Sequence, residues 1–112
     1  MLARPNRVTA GEDFRRVVRR GRRVTSPTSI VYVAERSSTD PARFGFVIAR
    51  PVGNAVHRNR LRRRLRSVAR ELVDQGVSGV DVVVRARPGA AEIPWDAVRD
   101  GLRAALADRM AV

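Results

Sequence analysis

Cysteine is absent from the 112-residue chain, which excludes disulfide bridges, cysteine-based zinc sites and iron–sulfur clusters. Histidine occurs once, as His57, so acid–base catalysis by a pair of histidines is excluded too. No apolar run approaches the ~20 residues that span a bilayer, and the first residues contain no apolar signal core. These absences suit a reducing cytoplasm, where we expect the protein to work without a membrane partner.

Lysine is also absent, so all 23 basic residues are arginines; with 11 acidic residues the net charge is +12. Arginine presents a planar fork of donors that suits phosphate groups, and it stacks on nucleic-acid bases. Codon bias can choose arginine over lysine, but it does not explain the net charge. The composition therefore favours a polyanionic partner.

The charge is concentrated in two segments. Residues 1–23 hold eight arginines and two acids, and residues 43–70 hold nine arginines and no acid. The segments 24–42 and 71–112 together hold six arginines and nine acids. Clustering of this kind is the electrostatic footprint of a nucleic-acid-binding protein.

Hydrophobic periodicity predicts three helices, and each has boundary signals. The first is expected over 9–20, with Thr9 and Glu12 as a capping box and Gly21 as its stop. The second is expected over 54–75, with Asn54 as N-cap and one apolar stripe formed by Leu61, Leu65, Val68 and Leu72. The third is expected over 94–109, with Pro94 at its first position.

Runs of β-branched and aromatic residues predict strands at 29–34, 43–50 and 81–85, and a short extra strand is possible at 22–26. No linker, repeat or low-complexity segment divides the chain. We expect one α+β domain over 1–112, with helices packed on a small sheet.

The second helix carries seven arginines around its apolar stripe. Arginines at i, i+4 spacing repel one another in an isolated helix, and no acid lies between Asp40 and Glu71 to compensate them. A solvated basic face is the simplest alternative, but an uncompensated stripe is the expected footprint of RNA or DNA contact. We therefore predict that this helix binds nucleic acid.

The residues needed for independent catalysis are missing. A metal-dependent nuclease needs carboxylates beside the phosphate site, whereas most acids here lie in the C-terminal third. Glu12 and Asp13 are adjacent, but they fit a helix N-terminus. Aromatic rings can stack on single-stranded bases; Trp95 fits the core of the last helix, while Phe14 and Tyr32 are open to either role.

Residues 53–66, GNAVHRNRLRRRLR, closely resemble the signature helix of the bacterial ribonuclease P protein component, whose pattern is GNAVxRNRxKRxxR. Arg62 stands where lysine is usual. The segments NRVTAGEDFRRVVRRG, RFGFVIARPVGNAV and DVVVRARPGA also resemble the family, so that the similarity covers about residues 4–107.

This resemblance implies an α-β-β-β-α-β-α domain with a four-stranded mixed sheet and a left-handed crossover around the arginine-rich helix, where general topology rules favour the right-handed form. It implies a subunit of an endoribonuclease that removes the 5′ leader of precursor tRNA. The RNA subunit would perform the chemistry with Mg²⁺, so the protein itself would supply neither catalytic residues nor metal ligands and take no small-molecule substrate.

Candidate site residues follow from the same resemblance and from the charge pattern. Contact with the catalytic RNA is expected from Arg58, Asn59, Arg60, Arg62, Arg63, Arg66 and Arg70. Contact with the single-stranded leader is expected from Phe14, Val18, Tyr32, Arg15, Arg19 and Arg50. The chain departs from the family at Val18, where a second aromatic is common, and at Pro51, where a second basic residue is common.

Other classes of protein remain open at this point. A ribosomal protein would have similar charge, although basic extensions are more usual there. A DNA-binding transcription factor is opposed by the lack of helix-turn-helix spacing, and a self-contained metal nuclease by the distribution of acids.

Overall fold

The computed structural model describes residues 2–37, 39–90 and 94–107. Its helices and strands follow in the order α1 (Gly11–Arg20), β1 (Arg22–Thr25), β2 (Ser29–Glu35), β3 (Arg43–Val47), α2 (Ala55–Asp74), β4 (Val80–Ala86) and α3 (Trp95–Ala105). Short 3-10 turns at Arg4–Asn6 and Arg50–Val52 precede α1 and α2. The predicted α+β class is confirmed. The end of the third helix was expected at 109, and residues 108 and 109 lie outside the described part.

The four strands form one mixed sheet in the order β1-β2-β4-β3. Strand β2 pairs antiparallel with both β1 and β4, while β3 and β4 are parallel neighbours. Parallel neighbours need a long crossover, and here α2 provides it. The hand of this crossover stays a prediction.

One face of the sheet is covered by α2 and α3 and holds the larger core. The predicted apolar stripe of α2 is buried against alternate residues of the strands, because side chains two apart in a strand point to the same face. The central members of this larger core are Leu61, Leu65, Val68, Leu72, Val31, Val33, Phe44, Val82, Val84, Val98 and Leu102. Packing on this side leaves the arginines of α2 at the surface.

The opposite face is covered in part by α1, and we call it the α1 face. Val17 of α1 is buried against Tyr32, Ala34 and Val83 of the two central strands. Gly21 ends the helix, and a Cβ there would lie 2.5 Å from the Val17 carbonyl oxygen and 3.1 Å from the Val33 nitrogen. Only glycine therefore allows α1 to pass so closely into β1.

Two local predictions are wrong. Helix α1 begins at Gly11 after Ala10, and no side-chain capping bond forms, so the capping box of Thr9 and Glu12 is absent. The cause is the preceding segment: the Val8 N–H donates to the Phe44 carbonyl at 2.9 Å, which keeps this chain extended beside β3.

Strand β3 ends at Val47, three residues before its predicted end at Arg50. Val47 pairs with Arg85, which is the last pairing between the two parallel strands. Pro51 then lies in the 3-10 turn, where its missing N–H removes a donor that a continued strand would need.

Candidate nucleic-acid interface

Helix α2 presents its arginines to solvent because its apolar stripe is buried. The Asn54 side chain caps the first turn by accepting a hydrogen bond from the His57 N–H at 2.9 Å. From that start, the 3.6-residue period places the arginines outside the core. Most of the predicted set is exposed, while Arg58, Arg62 and Arg66 are half-buried.

The members of this set have different neighbours. Asn59 accepts a hydrogen bond from Arg62 at 3.3 Å, which orients that guanidinium. Arg70 lies 3.6 Å from Asp74, so its charge is partly balanced. On the first half of α2, a surface groove of about 480 Å³ is lined by Val56, Asn59, Arg62, Arg63 and Arg66. The structure therefore gathers most of the predicted catalytic-RNA contacts on one continuous surface.

A second groove lies at the outer edge of β3, where the N-terminal segment pairs with Phe44, and we call it the β3-edge groove. It has a volume of about 200 Å³, and its lining includes Phe14, Gly45, Arg7, Arg62 and Arg66. The aromatic ring of Phe14 lies directly on Gly45. A Cβ at Gly45 would stand only 2.5 Å from this ring. The glycine thus makes room for an aromatic ring beside three arginines.

Positive charge is concentrated in this groove. The pKa of Arg66 is lowered, because burial disfavours its charged form and because Arg7 and Arg62 repel it. An anion bound between these guanidinium groups would reduce their mutual repulsion. The β3-edge groove therefore has the electrostatics of a phosphate site.

The predicted leader residues do not all share this surface. Phe14 is half-buried and borders the groove. Tyr32 is only 6% exposed under α1, which leaves too little of its ring to receive a stacked base in this conformation. Val18 is 42% exposed on α1. The remaining members, all exposed, are Arg15, Arg19 and Arg50.

A buried carboxylate fixes α1 on the sheet. Asp81 is fully buried on β4 and accepts hydrogen bonds from Arg43 at 2.8 and 2.7 Å and from Arg16 of α1. Arg36 lies 3.5 Å away. Burial opposes ionisation of the carboxyl, but the hydrogen bonds from Arg43 and Arg16 prevail and the pKa of Asp81 is lowered.

Three of these residues had no place in the expected site. Gly45 could have been suspected, because glycine inside a strand often marks a close approach of another group. Arg7 belonged to the basic N-terminal segment, but nothing in its spacing linked it to α2. Asp81 stands at the start of an apolar run. The sequence does not show that arginines from distant segments neutralise it.

The described residues show no group of three or more acidic or histidine side chains that could hold a metal ion. Across the same residues, no helix is both long and apolar enough to cross a bilayer.

An arginine helix on a four-stranded mixed sheet, next to a groove that is lined by phenylalanines and arginines, defines a class of compact domain whose interface suits RNA. Comparisons with known proteins identify the family within this class to which the chain belongs. The family model "Ribonuclease P" matches residues 2–109.

Individual proteins agree with this match. The ribonuclease P protein component of Clavibacter michiganensis is 44% identical over 106 residues, covering 95% of this chain and 94% of that protein. That of a Nocardioides species is 47% identical over 93 residues, covering 81% and 80%. The RNase P protein from Thermotoga maritima has a TM-score of 0.78 at 26% identity, over 94% of this chain and 98% of that chain.

The chain belongs to the ribonuclease P protein family. It is thus a protein subunit of the ribonucleoprotein endoribonuclease that processes the 5′ ends of tRNA, and it has an RNA partner. Membership of this family sets aside the ribosomal protein, the transcription factor and the self-contained nuclease.

Proposed function

We propose that this protein holds two RNAs at once: the catalytic RNA on α2 and the single-stranded 5′ leader of precursor tRNA at the β3-edge groove. It thereby assists removal of the leader to give the mature 5′ end. The observation that carries this proposal is the sharing of Arg62 and Arg66, which line both the α2 surface and the β3-edge groove. Two RNA strands bound to these surfaces would meet at those guanidinium groups.

The surface of α2 suits a folded RNA. Its arginines lie in a row along a helix of 20 residues, which is ~30 Å long. Their donors can follow a phosphate backbone without reading bases. The β3-edge groove suits a single strand instead, because an aromatic ring beside cations is the usual platform for one unpaired base.

The chemistry of cleavage is assigned to the catalytic RNA with Mg²⁺. Mg²⁺ prefers oxygen ligands such as carboxylates and phosphates. The guanidinium groups of these surfaces are N–H donors, which do not fit a metal ion, whereas the phosphates bound to them do. The protein side chains would position and neutralise RNA, and precursor tRNA is present in the cytoplasm, where we place the holoenzyme.

Reconstitution with the native catalytic RNA tests the assignment of α2. Replacing Arg58, Arg60, Arg62 and Arg66 by alanine should leave the fold intact, because none of them belongs to the buried stripe. Assembly of the holoenzyme at low Mg²⁺ should weaken at least tenfold, since four phosphate contacts are removed. Binding is measured by filter retention at several Mg²⁺ concentrations.

Arg99→Ala is the matched control, because Arg99 lies on α3 within 3.5 Å of both Asp96 and Asp100 and is already neutralised. It should assemble like the wild type. Unchanged assembly of the quadruple variant would refute the proposed role of α2, and cleavage of precursor tRNA by rigorously RNA-free protein would refute the assignment of the chemistry.

A further inference from the structure

A narrow groove lies between α2 and α3, and we call it the α2–α3 groove. Its volume is about 50 Å³, and it is lined by four residues of α2 and two of α3: His57, Arg60, Leu61, Arg64, Trp95 and Val98. Small-molecule sites usually measure ~300–1,000 Å³. The α2–α3 groove therefore suits the edge of one flat ring rather than an enclosed metabolite.

The arginines of α2 divide between the two sides of its apolar stripe. With Leu61 as the reference and about 100° per residue, Arg62 and Arg66 fall on one side, and Arg60 and Arg64 fall on the other. The first pair lines the β3-edge groove, whereas the second pair lines the α2–α3 groove. The two grooves therefore flank α2 and form separate sites.

Trp95 supplies the aromatic ring of the α2–α3 groove. Its side chain packs against the larger core but is only half-buried. The guanidinium carbon of Arg64 lies 5.6 Å from the centroid of the ring, a cation–π contact that holds this arginine beside it. His57 is exposed, and its backbone is fixed by the capping bond to Asn54. A ring, a guanidinium group and an imidazole thus converge on one narrow opening.

The cations of this groove are not balanced by acids. Within the ranges that the structure describes, no carboxylate lies within ion-pair distance of Arg60 or Arg64. Glu71, towards the other end of α2, is engaged by Arg103 of α3. Unpaired guanidinium groups beside an aromatic ring suit an unpaired nucleotide, because the cations attract its phosphates and the ring contacts its base.

We propose that the α2–α3 groove is a base-binding site for the catalytic RNA. One unpaired nucleotide of that RNA places its base against Trp95, forms a hydrogen bond with His57 and places its phosphates on Arg60 and Arg64. This inference rests on the proposed function, because it adds a second contact for the RNA that α2 binds.

Continuity of the basic surface favours the catalytic RNA over the precursor tRNA. Arg63 belongs to the groove on the first half of α2 and also, with Arg60, Arg64 and Ser67, lines an open depression of about 340 Å³. Arg60 and Arg64 then continue into the α2–α3 groove. One folded RNA on α2 can therefore reach Trp95, whereas a leader at the β3-edge groove lies on the other side of the helix.

Trp95 is the only tryptophan of the chain, so its fluorescence reports on this groove alone. The wild-type protein is titrated with the native catalytic RNA, with a fully paired RNA duplex and with precursor tRNA. Emission and quenching by acrylamide are recorded, and binding is confirmed by filter retention.

We expect the catalytic RNA to quench the emission of Trp95 and to shield its ring from acrylamide, because a stacked base covers the ring. The duplex should bind to the arginines but leave the ring accessible, since its paired bases cannot enter the groove. Precursor tRNA without the catalytic RNA should also leave the ring accessible.

Variants test the individual residues, and melting curves show that each variant folds. Arg60→Ala/Arg64→Ala should remove most of the quenching and raise the Kd for the catalytic RNA about tenfold. Trp95→Leu keeps apolar packing but has no ring, so it should raise this Kd about fivefold, and Trp95→Phe should retain most of the affinity. Arg99→Ala, the matched control on α3, should behave like the wild type.

The opposite results separate this inference from the proposed function. If the catalytic RNA binds but the emission and accessibility of Trp95 do not change, or if the duplex shields the ring as strongly, the groove binds no base of this RNA. Shielding by precursor tRNA alone would overturn the inference as well. Unchanged affinity of Trp95→Leu would make Trp95 a packing residue only. If the wild type does not bind the catalytic RNA at all, the proposed function itself fails.

Discussion

At the scale of single residues, burial divides two aromatic rings that look equivalent in the sequence. Phe14 borders an arginine-lined groove, whereas Tyr32 is buried beneath α1. Stacking on a base needs an open ring face, so in this conformation only Phe14 can supply it. Val18 adds exposed apolar surface without a ring.

Phe14→Ala should therefore raise the Kd of the holoenzyme for leader-bearing precursor tRNA while leaving mature tRNA unaffected. Loss of one stacked base of ~1–3 kcal/mol corresponds to about 5- to 150-fold in affinity. Because the ring also packs on Gly45, the alanine variant should lose thermal stability as well. Equilibrium binding of both RNAs and a melting curve measure these effects.

Phe14→Leu is the control that separates stacking from packing. Leucine keeps apolar contact with the strand but offers no ring, so its melting temperature should lie near that of the wild type while leader binding stays weak. If both variants weakened the two RNAs equally, Phe14 would be a structural residue only.

The sequence allowed only part of this site to be predicted. The arginines of α2 could be found because their periodicity follows from local spacing. The meeting of Arg7 with Arg66 could not, since these residues are brought together by pairing of the N-terminal segment with β3.

At the scale of elements, the attachment of α1 to the sheet depends on a charge as well as on apolar packing. Val17 supplies the apolar contact, and Arg16 reaches the buried Asp81 of β4. Arg43 of β3 shares the same carboxylate. One acidic side chain thus fixes three elements, including the helix that carries Phe14.

Asp81→Asn should destabilise the protein by about 2–3 kcal/mol at pH 7, because it leaves Arg16 and Arg43 without their charged partner. The lowered pKa of Asp81 stabilises the fold at pH above the unfolded-state value of about 3.9, and this contribution is lost as pH falls through the folded-state pKa. The difference in the free energy of unfolding between the variant and the wild type should therefore become smaller in acid. Denaturant unfolding at pH 7 and below pH 4 measures it.

Asp40→Asn is the matched control. Asp40 lies 3.7 Å from Arg36 of the same cluster but is 43% exposed, so its replacement should change stability by less than about 0.5 kcal/mol. Equal effects of the two substitutions, or a pH-independent effect at Asp81, would contradict this account.

The elements themselves were largely predictable, and the errors have physical causes. Helix α2 and strand β2 carry strong periodic patterns and were expected within one residue of their observed bounds. The start of α1 was misplaced because a tertiary hydrogen bond, from Val8 to Phe44, prevailed over a local capping pattern. The end of β3 was misplaced because its partner strand, not its own composition, determines where pairing stops.

At the scale of the whole molecule, the arginines that give the net charge of +12 have two different roles. Some stabilise the fold, and the others lie at the surface. Arg16, Arg36 and Arg43 are engaged with Asp81. Apart from Arg70, the arginines of α2 and of the β3-edge groove have no acidic partner among the described residues. Binding of RNA should therefore be driven mainly by release of counterions from its phosphates.

Affinity for the catalytic RNA should fall with salt at a log–log slope of about −4 to −5, as expected if about six phosphates are neutralised. Titrations between 50 and 400 mM monovalent salt at fixed Mg²⁺ measure the slope. A slope near zero would mean that the arginine surfaces are merely solvated.

The free edge of the sheet at β1 has a consequence for solubility. An unpaired strand is a template on which a second copy can add its own strand and begin an aggregate. Strand β1 has only four residues, and Arg22 and Arg23 begin it. A second copy in parallel register would bring cation against cation, and one in antiparallel register would form only a very short ladder. The side chains that attract nucleic acid also keep like molecules apart, which lets the subunit persist at high concentration until its RNA is available.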